Sequence, residues 1–178
     1  MTLKERFVKE IAPQLRTELK VKNVMAVPKV TCITVAVGLS PGTKDAKIAE
    51  TAQSVLQRIT GQKPVETKAK KSISNFKIRQ GMVVGLRVTL RGNRMWHFLD
   101  KLLNVTFPRT RDFRGISSKL IDQTGNITVG FKEFLPFPEI RPDEVERVHG
   151  LQVTVTTTAG SRERGLALFK RLGFPFKD

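Results

Sequence analysis

Residues 84–91 read VGLRVTLR, and the fold turns on that octet. Val84, Leu86, Val88 and Leu90 alternate with Gly85, Arg87, Thr89 and Arg91. Successive side chains of a β-strand leave opposite faces, so a period of two predicts a strand buried on one side. Arg87, Thr89 and Arg91 then project together from the other side. Downstream, Gly92 turns the chain, and Asn93 is the expected cap of a helix with Met95, Phe98, Leu99, Leu102 and Leu103 inward, stopping near Pro108. Upstream, 65–73 read as a short extended segment and 74–82 (SNFKIRQGM) as a loop with neither helical nor strand period.

The same signals extend to both ends. TCITVAV at 31–37 is rich in β-branched residues and predicts a strand ended by Gly38. After it, Thr43 or Asp45 is the expected cap of a helix with Ile48, Ala52, Val55, Leu56 and Ile59 on one face, closed by Gly61 as the glycine past the helix end. Near the N-terminus Leu3, Phe7, Ile11, Leu15 and Leu19 recur every fourth residue, with Val8 and Ala12 widening the stripe. They predict an amphipathic helix that Pro13 should kink or split. Further strands are expected at 126–131 and 151–158, flanking a Pro-rich turn, and a last helix capped by Ser161 and closed by Gly173. The order predicts an α+β fold: a mainly antiparallel sheet with helices on one face, in an RNP- or ferredoxin-like split β-α-β arrangement with additions. With no internal repeat, residues 1–178 read as one domain. Its parts are an N-terminal helix (1–22), a β/α core (23–108) and a loop and βα part (109–178).

Composition narrows the function. The chain has 178 residues, 39% of them hydrophobic, too many for a disordered chain. No apolar run reaches the ~18 residues of a membrane span, and the N-terminus lacks a signal peptide's apolar stretch. One cysteine, Cys32, leaves no intramolecular disulfide, and an intracellular, reducing compartment is expected. The net charge is +16. Of this, residues 1–60 supply +5, 61–119 supply +11, and 120–178 balance to zero. Concentration of charge in the middle third points to a polyanionic partner.

No catalytic set emerges. His97 and His149 have no acid spaced as a partner and no second Cys, so neither a triad nor a metal site is expected. Ser74 and Lys77 match a Ser-x-x-Lys pattern without its companion motifs. GLSPGTK at 38–44 lacks the ending of a phosphate loop. Asp143, Glu144 and Glu146 read as acids at a helix start, offsetting its positive end. The basic window is the stronger signal. Lys63, Lys68, Lys70, Lys71, Lys77, Arg79, Arg87 and Arg91 face one acid, Glu66. Guanidinium groups suit phosphate oxygens and stack on unpaired bases, while Thr89 and Gln62 add neutral hydrogen bonds. Nucleic-acid binding is expected, and composition does not separate RNA from DNA.

Several strings in order carry a resemblance over essentially the whole chain: GQKP at 61–64, TKAKKSI at 67–73, VTLRG at 88–92, RMWHFLDKLLN at 94–104, RDFRG at 111–115 and FPEI at 137–140. They resemble the bacterial large-subunit ribosomal protein five family. The resemblance implies a non-enzymatic, cofactor-free structural constituent of the cytoplasmic large ribosomal subunit, bound to 5S rRNA in the central protuberance. It implies 5S rRNA contacts at Gln62, Lys63, Lys68, Arg87, Thr89 and Arg91. It also implies that a loop of Lys70, Lys71, Ser72, Ser74, Phe76, Lys77, Arg79 and Gln80 reaches the P-site tRNA. Arg109, Arg111, Asp112 and Arg114, with the Pro-rich segment after Phe134, would face small-subunit head protein thirteen across an intersubunit bridge. Neighbouring 5S-binding proteins and 23S rRNA complete the implied partners. Ala36 stands where the family usually has an asparagine, and Trp96-His97 where a tyrosine and an acid are usual. A non-ribosomal RNA-binding protein or RNA chaperone is the alternative.

Overall fold

The computed structural model describes residues 1–39, 46–141 and 148–177. The expected cap at Thr43 or Asp45, most of the 38–44 loop and the acids at 143–146 lie outside them. Five strands form one sheet: β1 (Val30–Gly38), β2 (Val65–Lys68), β3 (Val83–Leu90), β4 (Ile127–Phe131) and β5 (Leu151–Thr157). Their order is β2-β3-β1-β5-β4. Strand β3 lies between β1 and β2, which are linked through helix α2 (Ala46–Thr60), so the β-α-β unit is split as the sequence predicts. Strands β2 and β3 are antiparallel. The sheet is antiparallel with helices packed against it, an α+β fold.

The chain divides into two compact units, Thr34–Thr89 with Gly130–Val153, and Met1–Ile33 with Leu90–Val129 and Thr154–Asp178. In the first, Val35 and Val37 of β1, Leu86 and Val88 of β3, and Ala52, Leu56 and Ile59 of α2 are buried and form the core. Gly61 ends α2 at φ +66, its N–H bonded to the Gln57 carbonyl at 2.8 Å, as a glycine past a helix end should. The Pro-rich segment is turned inward: Phe134, Phe137 and Ile140 are buried, held by turns from Phe137 N to Phe134 O and from Ile140 N to Phe137 O.

His149 closes this unit. Its ring lies 4.6 Å from that of Phe134, and Nδ1 donates to the Gly150 carbonyl 3.2 Å away, while Nε2 is buried without a partner. Burial holds the imidazole below its ordinary value of 6.5, outweighing the Gly150 bond, which acts the other way. The folded chain therefore binds fewer protons than the unfolded one as pH falls through 6.5. Stability from this site is complete above that pH and declines below it. In paired thermal melts between pH 7.5 and 5.5, wild type should lose Tm relative to His149→Phe, which keeps the ring contact and cannot titrate. A parallel decline in both chains would remove His149 as the cause.

In the second unit the N-terminal helix α1 (3–18) does not split at Pro13. It runs from Leu3–Arg6 through a π-turn, Phe7–Ile11, into Ala12–Glu18. The Ala12 N–H bonds five residues back, to Phe7, which gives the proline ring room where the α register would put a carbonyl. The π-turn also explains the strict four-residue repeat. At about 100° per residue, four steps of four residues in an ideal α-helix would drift by about 160°. The wider turn absorbs part of that drift and keeps Leu3, Phe7, Ile11 and Leu15 buried in line. Val8, expected on the stripe, is exposed instead.

Helix α3 (92–109) repeats the device, with a π-turn at Leu102–Thr106 ahead of Pro108. Its N-cap is Arg91 in extended backbone, not the expected Asn93, whose Oδ1 instead accepts from Lys4 Nζ at 2.9 Å. Helix α4 (Arg162–Leu172) is capped by Ser161 and closed by Gly173 at φ +92, both as expected. Helix α1 packs on α3 and α4. The rings of Phe7 and Trp96 lie 5.2 Å apart, and Arg171 grips Glu18 Oε2 through Nε and Nη2, each at 3.0 Å.

Candidate nucleic-acid interface

Strand β3 carries the face that its alternation predicts. Leu86, Val88 and Leu90 are buried, Arg87 is exposed and Thr89 half-buried. The alternation departs at its start, where Val84, expected inward, is half-buried and Gly85, expected outward, is buried. A Cβ there would stand 2.7 Å from the Val37 carbonyl oxygen and 2.9 Å from Thr67 Oγ1, so only glycine lets its neighbours close over β3.

The register to β2 sorts the basic window. Val65 faces Arg87, Glu66 faces Leu86 and Thr67 faces Gly85; an irregularity then sets Lys68 opposite Val83 rather than Val84. The extra residue belongs to β3, which sets five residues, 83–87, against the four of β2. Strand β2 keeps its own alternation, so Val65 and Thr67 lie on the side of Arg87, while Glu66 and Lys68 lie on the Leu86 side, both exposed. No feature of the sequence shows this bulge.

Gln62 and Lys63 reach the interface from the turn after α2. Thr60 Oγ1 accepts from Gln62 N at 3.4 Å, and Gln62 Nε2 donates to the Thr89 carbonyl at 3.4 Å. Gln62 is therefore seated against β3 beside Thr89, with Lys63 exposed next to it. Alternation in β1, with Val35 and Val37 buried, puts half-buried Thr34 and Ala36 on its other side. Arg91 is exposed, but belongs to the other unit as the cap of α3. The structure brings together Gln62, Lys63, Arg87 and Thr89, and adds Val65 and Thr67, which the residue types alone did not mark; Lys68 is exposed on the opposite side of β2.

The segment expected to be a loop, 74–82, closes a hairpin with the extended residues before it. Ala69 N donates to Met82 O at 2.8 Å and Gly81 N to Ala69 O at 3.0 Å. Ile73 and Ile78 exchange two backbone bonds at 2.9 and 3.1 Å. Ser74–Phe76 form a 3₁₀ turn closed by Lys77 in the left-handed region, φ 53. Gln80 N donates to Ser72 Oγ at 2.9 Å, so both residues hold the hairpin. Lys70, Lys71, Ser74, Lys77 and Arg79 are exposed around Phe76, itself 62% exposed. Phe76 therefore does not pin the loop to the core. Repulsion among four cations would open a floppy loop; the backbone bonds hold this one as a finger with an apolar tip.

Arg109, Arg111, Asp112 and Arg114 are exposed in the other unit. Asp112 takes φ 52, and Phe113 stacks on Phe107 at 5.2 Å. Ile116 then pairs with the C-terminal segment: Ile116 N donates to Pro175 O at 2.7 Å and Lys177 N to Ile116 O at 2.9 Å. The three arginines thus stand on a loop anchored at both ends. Among the described residues no group of His, Cys, Asp or Glu could hold a metal ion, and no helix is long and apolar enough to cross a membrane.

Comparison with known proteins agrees with this arrangement. The ribosomal protein L5 family pattern matches residues 23–79, and the separate pattern for the C-terminus of the same ribosomal family matches 83–176. The large ribosomal subunit protein uL5 of Natranaerobius thermophilus is 49% identical, over 98% of this chain and 97% of its own. Those of Thermobifida fusca and Brevibacillus brevis are each 50% identical, covering 99% and 98% of this chain and 92% and 97% of theirs. With both halves matched in order and the identity running nearly end to end, the chain belongs to the ribosomal protein L5 family, a family of structural, non-enzymatic ribosomal proteins.

Proposed function

We propose that the chain is a structural constituent of the large ribosomal subunit that binds 5S rRNA through the open face of β2 and β3. The observation that carries this is the seating of Gln62 against β3: its amide meets the Thr89 carbonyl on the strand that turns Arg87 outward, while Glu66 pairs on the Leu86 side. Arginine and lysine there meet phosphates, and the amide and hydroxyl read ribose and base edges, the mixture expected for folded RNA. Arg91, at the start of α3 in the other unit, is a separate RNA contact. Competition among 5S rRNA, tRNA and duplex DNA at one fixed salt concentration tests it. Preference for 5S rRNA is expected; equal binding of all three would favour a general RNA chaperone.

The finger at 69–82 is the contact for P-site tRNA, with Lys70, Lys71, Lys77 and Arg79 on its backbone and Phe76 at the tip. The loop bearing Arg109, Arg111, Asp112 and Arg114 faces head protein thirteen of the small subunit. Both sit in the cytoplasmic ribosome beside other 5S-binding proteins and 23S rRNA. Replacing 74–80 by a short Gly-Ser turn should leave 5S rRNA binding within about two-fold, because the finger closes on its own bonds. P-site tRNA occupancy on assembled ribosomes should fall. Loss of both activities together would assign the finger to the 5S surface.

A further inference from the structure

We propose that the groove alongside α1 is a second RNA site, which takes an unstacked nucleotide of a single-stranded RNA segment. The inference rests on the reading of the chain as an RNA-bound ribosomal constituent. The groove has a volume of about 430 Å³, within the ~300–1,000 Å³ of sites that hold small organic groups. Its floor is apolar: Val8, Pro13, Val21 and Val24, with Val8 63% and Val24 60% exposed. Its rim carries Arg16, Lys20 and Lys22.

The groove is constructed rather than left over. Arg16 folds the chain back by donating from Nη2 to the Lys22 carbonyl at 3.0 Å and from Nε to the Val21 carbonyl at 3.4 Å. Lys20 turns the chain at φ 50. Asn23 Oδ1 accepts from Met25 N at 2.9 Å and caps a 3₁₀ turn, Val24–Ala26, that holds Val24 at the mouth. Val8, within the π-turn ahead of Pro13, is exposed and lines this surface.

Charge decides the occupant. No acidic residue lines the groove. The three acids of α1 are engaged elsewhere: Glu5 accepts from Thr2 N, Glu10 pairs with Arg6, and Glu18 with Arg171. Among the described residues Lys20 and Lys22 meet no carboxylate. An apolar protein side chain would cover the floor but leave the rim lysines uncompensated. A nucleotide satisfies both, its phosphate at the lysines and its base face on the valines. Duplex RNA keeps its bases stacked and cannot fill the floor.

The test uses the full chain with p-benzoylphenylalanine at position 24, assembled into large subunits and irradiated. A cross-link to a ribosomal RNA nucleotide is expected. It should weaken at least five-fold when Lys20→Glu and Lys22→Glu are added. Binding of 5S rRNA by the Lys20→Glu/Lys22→Glu variant in solution should stay within two-fold of wild type. Cross-links to protein alone, or none, would overturn the proposal. A parallel loss of 5S rRNA binding would too, since the groove would then be part of the first site. Failure of wild type itself to prefer 5S rRNA would instead strike the functional reading.

Discussion

A Lys63→Ala/Arg87→Ala variant should bind 5S rRNA about 100-fold or more weakly than wild type while melting at the same temperature. Each side chain is exposed and neither packs in the core, so removal opens no cavity. A hydrogen bond to a charged group is worth roughly 1.5–3 kcal/mol, and two independent losses therefore reach the ~2.8 kcal/mol of a 100-fold change. The salt dependence should also become shallower. Each phosphate contact releases about 0.7–0.9 of a counterion, so two lost contacts should reduce the slope of log affinity on log salt by about one and a half units. Leu90→Ala is the reciprocal control: Leu90 is fully buried, and its truncation should cost ~2–5 kcal/mol of stability. Titration at two salt concentrations with parallel melts separates the outcomes. Binding within three-fold of wild type would remove this face as the RNA surface.

Phe107→Ala should cause a large loss of stability outside the sheet. Phe107 is 1% exposed, with the rings of Phe113 at 5.2 Å and Phe174 at 6.1 Å. Truncating a buried phenylalanine costs ~3–5 kcal/mol through lost burial and the cavity left behind. For a chain of this size that lowers Tm by about 6–20 °C. The chemical midpoint should fall without a change in slope, since the surface exposed on unfolding barely changes. Phe113→Ala is a milder probe. Phe113 is half-buried at the surface, so global stability should fall less, while amide exchange at 111–116 accelerates because the loop has lost its floor. If exchange there is unchanged in Phe113→Ala, the pairing of Ile116 with the C-terminal segment alone holds the arginine loop.

The features legible in the sequence are those set by neighbours along the chain. The alternation of 84–90 identifies the strand and its two faces because the period of a strand is local. Ser161, Gly61 and Gly173 mark helix ends because a cap bonds backbone groups only a few residues away. The basic window is visible as charge, and the long strings at 61–73 and 88–115 identify the family. Tertiary structure decided what depends on distant partners. The order β2-β3-β1-β5-β4 is a choice among pairings of similar local strands. The extra residue in β3 is defined only by its pairing with β2. Asn93 is drawn from capping by Lys4, 89 residues away in sequence, and the arginine loop is held by residues some 60 positions later. Pro13 reads as a break because its local penalty is plain. The burial of Phe7, Ile11 and Leu15 against other helices outweighs that penalty, and a π-turn is the backbone's way of keeping both.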